Sequence, residues 1–311
     1  MPTAALALVL TAALFHASWN ALAKRARDQF AFLCLALAVA SVLFLPVMLW
    51  ALPAGGVPAG AWPFVIATVV LHALYFYTLG RSYRSGEFSV VYPIARGLGV
   101  ALVPVLAVFL LDERPSALGA VGIGFVVVGI VALQRLGRVV PDMGGPERAP
   151  QAPLSARGTP AKPWRPSTYA DSLGAGTGWA VLTGLTIAAY ALVDKAGVSR
   201  LHPVPYIGLM FVGCLLLLLP AVLVDVERVR REWTANWRTI LVASALTLTA
   251  YLLVLFAFRL SKAGYVVAAR EVSIVFSVVI GRLWFGERRL AARLVGAGLV
   301  LAGLVCLALT R

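Results

Sequence analysis

The sequence predicts an all-α integral membrane protein of ten transmembrane helices, built as two inverted five-helix repeats. Three observations carry that prediction. The 311-residue chain is 61% hydrophobic and 13% charged, with a mean hydropathy of +0.90, where soluble domains are about half apolar and about a quarter charged. Its charged residues collect between apolar runs of roughly twenty, the length that crosses a bilayer core of about 30 Å. The chain also repeats itself. The stretch from Tyr83 to Arg135 is rewritten from Leu260 to the C-terminus at an offset of 174. Ala95-Arg96 falls on Ala269-Arg270, Glu113-Arg114 on Glu287-Arg288, and Val121-Gly122, Gly124 and Gly129 on Val295-Gly296, Gly298 and Gly303. Short alternating segments, the mark of a β-barrel, are absent.

Ten apolar runs follow in order, at 4–23, 30–52, 62–82, 88–111 and 117–136, then 174–193, 204–225, 238–260, 264–284 and 290–309. The first repeat is read as 1–136, a Pro/Ala/Arg-rich flexible linker as 137–173, and the second repeat as 174–311. The linker has too little apolar periodicity to fold. MPTAALALVL lacks a basic leader and is read as the start of a first span rather than a cleaved signal. An odd number of spans per repeat makes the second copy enter the membrane from the opposite side, a common ground plan of secondary transporters. Spans 5 and 10 carry Ala120-xxx-Gly124 and Ala292-xxx-Gly296. Small residues at that spacing let backbones approach in lipid, so these spans are expected to pack within the chain or to form a homodimer.

Composition also excludes function classes. The net charge of +14 is that of basic membrane loops; no basic run is interleaved with aromatics as a nucleic-acid platform would be. Cys34, Cys214 and Cys306 lie singly in apolar runs, without the pairing of a disulfide framework or metal site. There is no GxxxxGK[ST] loop, so ATP-driven transport by this chain alone is not expected. No cofactor, metal or catalytic residue is expected.

The duplicated unit resembles the EamA-type domain of the drug/metabolite transporter superfamily. HASWNALAKR after the first span, YPIARG opening the fourth, and the LLDERPSALGAVGI and WFGERRLAARLVGAG loops carry the resemblance. It implies a ten-helix inverted repeat in a membrane, expected to be the bacterial cytoplasmic (inner) membrane. It also implies a central cavity lined by spans 1, 3, 4, 6, 8 and 9, which moves a small metabolite, amino acid, sugar phosphate or drug. In several members that movement is proton-coupled exchange. The resemblance further implies cytoplasmic termini, against the charge pattern. Of the 27 Lys and Arg, 19 fall in loops 1–2, 3–4, 5–6, 7–8 and 9–10. Only Arg114, Lys195, Arg200, Arg259, Lys262 and Arg311 lie at the other face, which the positive-inside rule would place outside the cytoplasm together with both termini.

Arg96, Arg270 and Glu271 lie several residues inside apolar spans. An arginine at a helix centre costs about 2.5–3.5 kcal/mol on insertion scales, which calls for a partner or a polar cavity. One reading is anion recognition, because guanidinium offers a fork matched to carboxylate or phosphate. Tyr92 sits one turn before Arg96, and Arg270, Ser273 and Ser277 share a face. The other reading is a buried ion pair in which Glu271 holds Arg96 or Arg270. Glu271 is also a candidate proton-coupling carboxylate. His16, Trp19 and Asn20 share one face of span 1, and His72 and Tyr75 one face of span 3; each histidine is either a pocket residue or a hydrogen-bonded packing residue. Asp194, at the end of span 6 beside Lys195, reads as an interfacial charge.

The function expected is a secondary transporter of a small organic solute, with an anionic group favoured. The alternative within that class is a proton-coupled exporter of amines using Glu271. A lipid-phosphate enzyme would need clustered acidic metal ligands, and a membrane scaffold would tolerate neutral residues at 96 and 270 without loss of flux.

Overall fold

The computed structural model describes residues 1–85, 88–138, 169–285 and 290–310. Every regular element among them is helical: α1 (Thr3–Lys24), α2 (Gln29–Trp50), α3 (Trp62–Ser85), α4 (Phe88–Leu110), α5 (Ala117–Arg138), α6 (Tyr169–Gly197), α7 (Pro203–Leu223), α8 (Val226–Leu260), α9 (Ala263–Arg270), α10 (Val272–Phe285) and α11 (Leu290–Leu309), with one 3₁₀ turn at Ala59–Ala61. Among the described residues, six stretches are long and apolar enough to cross a membrane, in α1, α2, α3, α6, α7 and α8. Ile94–Leu110, Ala117–Ala132 and Val295–Leu309 add shorter apolar helix. Large side chains such as Val42, Leu43, Phe109 and Leu216 stand exposed on the outer faces, as lipid rather than water requires. The chain is an integral, multi-pass membrane protein.

Two elements differ from the apolar runs that announce them. Helix α8 begins at Val226, twelve residues before the run at 238. Its first three turns are charged, so hydropathy alone passes over them, yet they are well anchored. Asp225 caps the helix by accepting from Arg228 N at 2.9 Å, and Arg228 Nη2 donates to Asp28 Oδ1 at 2.7 Å. Glu232 is buried and accepts from Asp28 N at 3.0 Å and from Asn236 Nδ2 at 2.6 Å. The helix then kinks at Asn236, where φ is −133° and ψ is 17°. Asp28 lies in the loop between α1 and α2, and the Arg228 hydrogen bond holds its carboxyl below the usual range.

The second difference is a break. The run at 264–284 is two helices, α9 and α10, meeting at Glu271. The turn between them is tightened by Glu271 N donating to Ala268 O at 3.1 Å and Ile274 N donating to Glu271 O at 2.9 Å. The junction thus places Glu271, which is buried, and the adjacent Arg270 at a helix discontinuity. The linker is shortened from both ends by α5 and α6, and residues 139–168 lie outside the described residues.

Packing follows a repeated scheme. Helix α1 packs on α8, α9 and α10, while α3 packs on α6 and α7, and α4 on α5, α6 and α9. Helices α5 and α11 run against each other through glycines. A Cβ built on Gly122 would stand 2.9 Å from Gly303 O, and one on Gly129 would stand 2.8 Å from Gly296 O. The glycine face is thus used within the chain. Ala120 and Gly124 do not serve it: both are exposed, with nothing within 4 Å of a Cβ on Gly124. They lie off the contact face, which follows Gly122, Val126 and Gly129. Gly129→Ala is expected to lower stability by roughly 1–3 kcal/mol through overpacking, whereas Gly124→Ala changes it little. Thermal unfolding of the two variants in one detergent checks this; equal midpoints would mean that the crossing is not close-packed.

Candidate functional site

The polar residues inside the bundle form two connected groups. The first joins α1, α4 and the α9–α10 junction. Arg96 is buried and faces Glu271, with Nε 3.6 Å from Oε2. Its Nη2 donates to His16 Nε2 at 3.5 Å. His16 meets the edge of Trp19 with ring centroids 5.2 Å apart. Glu271 is itself buried, and its Oε2 accepts no hydrogen bond among the described residues. The contact is an ion pair at a distance longer than a charge-assisted hydrogen bond.

The second group centres on Asp194 of α6, which is fully buried and so is not an interfacial charge. Three hydroxyls from three other helices donate to its carboxylate. Thr68 of α3 donates to Oδ1 at 2.5 Å, Tyr206 of α7 to Oδ1 at 2.9 Å, and Tyr251 of α8 to Oδ2. That number of donors explains how a carboxylate is tolerated there with no ion pair to it among the described residues. His72 completes the group. Its Nδ1 lies 2.9 Å from the Thr68 carbonyl oxygen and its Nε2 lies 3.1 Å from the Tyr251 hydroxyl. The Tyr251 hydroxyl thus stands between two neighbours, Asp194 and His72.

Arg270 and Tyr190 link the groups. The Arg270 guanidinium lies over the Tyr251 ring, 5.8 Å from its centroid, a cation–π arrangement. Among the described residues no carboxylate lies within salt-bridge distance of Arg270. Tyr190 is buried, with its ring 4.3 Å from His72 and 5.7 Å from Tyr75. Together the two groups make one polar belt on α1, α3, α4, α6, α7, α8 and the α9–α10 junction.

Of the residues singled out by sequence, His16, Trp19, His72, Tyr75, Arg96, Arg270 and Glu271 meet in this belt. Ser273 is buried on α10, while Ser277 is exposed and donates to Ser273 O at 2.8 Å, so the polar stripe on that face stops after one turn. Asn20 is exposed, and its amide donates to the His16 carbonyl of its own helix at 2.7 Å. Tyr92 lies on α4, but its side chain is outside the described residues. Thr68, Tyr206 and Tyr251 were not singled out. Thr68, His72 and Tyr75 stand at i, i+4 and i+7 on one face, which would have found the first. No local spacing marks the other two.

The family model described as the EamA-like transporter family matches residues 3–134 and again residues 174–309. A solved structure titled "Crystal structure of protein" is similar at 14% identity, with a TM-score of 0.66 over 98% of this chain and 96% of that one; at that identity it speaks for the fold. No curated protein matches.

Proposed function

Since the chain belongs to the EamA-like transporter family, whose members are membrane transporters, we propose that it is a secondary transporter of a small organic solute bearing an anionic group. The solute binds in the polar belt between two inverted five-helix repeats, expected in a bacterial cytoplasmic membrane. The contact between α5 and α11 supports the inversion. At the offset of 174, Gly122 corresponds to Gly296 and Gly129 to Gly303. Gly122 meets Gly303 while Gly129 meets Gly296, the exchanged pattern that a two-fold axis between the halves produces. Such an axis is the ground plan for a site served alternately from either side.

The observation that carries the anionic preference is the imbalance at the α9–α10 junction. Two guanidiniums, Arg96 and Arg270, stand at this junction with one carboxylate, Glu271, which is engaged by Arg96, while the belt's other carboxylate, Asp194, is taken up by three hydroxyls. Arg270 therefore has its charge available to a ligand, held over Tyr251. Arg96 and Glu271 serve as the paired wall of the site, and His16, His72 and Tyr75 as its hydrogen-bonding lining.

Ligand-dependent thermal stabilisation of the purified protein tests this, with a panel of carboxylates, phosphates, zwitterionic amino acids, amines and neutral sugars. A ligand at about 100 times its Kd stabilises by about 2.7 kcal/mol. The expected result is that an anion stabilises wild type and that Arg270→Gln weakens the response, needing at least tenfold more ligand for the same shift. Stabilisation by amines alone, retained in Arg270→Gln and lost in Glu271→Gln, would instead make the chain an amine carrier.

A further inference from the structure

On the face where α4, α6 and α8 end, an open crevice of about 640 Å³ lies between the α4–α5 loop and the α8–α9 loop. Its lining includes Asp112, Glu113, Arg114, Lys195, Arg259 and Lys262. Among the described residues this face carries Arg114, Lys195, Arg200, Arg259 and Lys262. Four of those five gather at this one crevice. A face poor in cations that concentrates them in a concavity focuses the field there.

The commitments of these charges differ. Glu113 is occupied, since Lys195 Nζ lies 3.1 Å from its Oε1 and Ala263 N donates to its Oε2 at 2.6 Å. Lys195 also donates to the Ser261 carbonyl at 2.9 Å and to that of Phe258. Lys262 donates to the Arg114 carbonyl, tying the two loops together. Arg114 and Arg259 are exposed, and among the described residues neither has a carboxylate within salt-bridge distance. Asp112 is exposed as well, on a backbone with φ of 52°. The floor of the crevice is thus a satisfied ion pair, and its rim offers two uncommitted guanidiniums.

We propose that this crevice is an anion-binding vestibule, in which Arg114 and Arg259 hold the carboxylate or phosphate group of a small solute at the end of the bundle. The proposal rests on the transporter reading for its purpose but not for its chemistry. Guanidinium forks suit carboxylate and phosphate alike. The same chemistry would also suit the phosphate of an anionic lipid, since the crevice opens where helices end.

The test uses the full chain in nanodiscs of phosphatidylcholine, with succinate and inorganic phosphate as probes and thermal stabilisation as the readout. The variants are Arg114→Gln/Arg259→Gln and Arg270→Gln; the first pair is exposed, so its fold is expected to survive. The expected result is that the rim double variant needs at least tenfold more succinate or phosphate for the same shift, while Arg270→Gln keeps a response. A rim variant that responds like wild type overturns the vestibule. In that case, loss of response in Arg270→Gln would leave the central site standing alone, and its retention would sink that site too. A third arm adds phosphatidylglycerol to the discs. If the anionic lipid stabilises wild type and removes the succinate response, but leaves the rim variant unmoved, the headgroup is the occupant and the solute assignment is wrong.

Discussion

Asp194→Ala is expected to lower the stability of the protein by at least about 3 kcal/mol. Its carboxylate is fully buried and accepts from Thr68, Tyr206 and Tyr251, one hydroxyl from each of α3, α7 and α8. Removing the acceptor takes from three hydroxyls the carboxylate they share, and each buried donor left unsatisfied costs about 1–3 kcal/mol. In a protein whose total stability is about 5–15 kcal/mol, that is a large fraction. Tyr206→Phe should do far less, because it removes one donor and leaves the carboxylate with two. Denaturant unfolding in micelles reads both. An interfacial charge, as the sequence alone suggests for Asp194, would shift stability by no more than about 0.5 kcal/mol on removal. A result of that size would mean that the hydroxyl cage is not formed.

The difference between those two readings shows what the sequence could carry. Helix identity was legible wherever an apolar run stood alone, as in α2 and α7, because burial in lipid depends on composition and length. It was not legible where charged residues fold by mutual satisfaction, as in the first turns of α8, where Glu232 is held by Asp28 and Asn236. The break at Glu271 likewise has no proline or glycine to announce it. For the site, charges inside apolar runs were the strong signal, and they led to Arg96, Arg270 and Glu271. Tyr206 and Tyr251 are ordinary membrane tyrosines by sequence, and only the packing of α7 and α8 against α6 makes them ligands of Asp194. The same limit hid Asp194 itself. Its neighbour Lys195 suggested a helix end at the interface, whereas Lys195 turns to carbonyls and Glu113 and leaves Asp194 facing inward.

The Arg96–Glu271 contact decides how the two arginines divide their work, and it carries the second large effect. Glu271→Ala is expected to destabilise by about 3–5 kcal/mol, because it leaves a buried guanidinium without its carboxylate. Arg96→Met/Glu271→Leu should regain most of that loss, since a buried ion pair replaced by apolar groups of similar volume is often neutral. The pair stands 3.6 Å apart at Nε and Oε2, longer than a charge-assisted hydrogen bond, which favours recovery over a deep coupling. His16 then loses the Nη2 donor it accepts from, a smaller deficit than an orphaned charge. Thermal unfolding of the two single variants and the double closes the cycle. Adding the stabilising anion to the double variant separates structure from recognition. If the double variant folds and still responds, Arg96 and Glu271 are a wall and Arg270 makes the contact. If it folds and no longer responds, Arg96 binds the solute directly, and the ion pair seen here is the state that the solute must open.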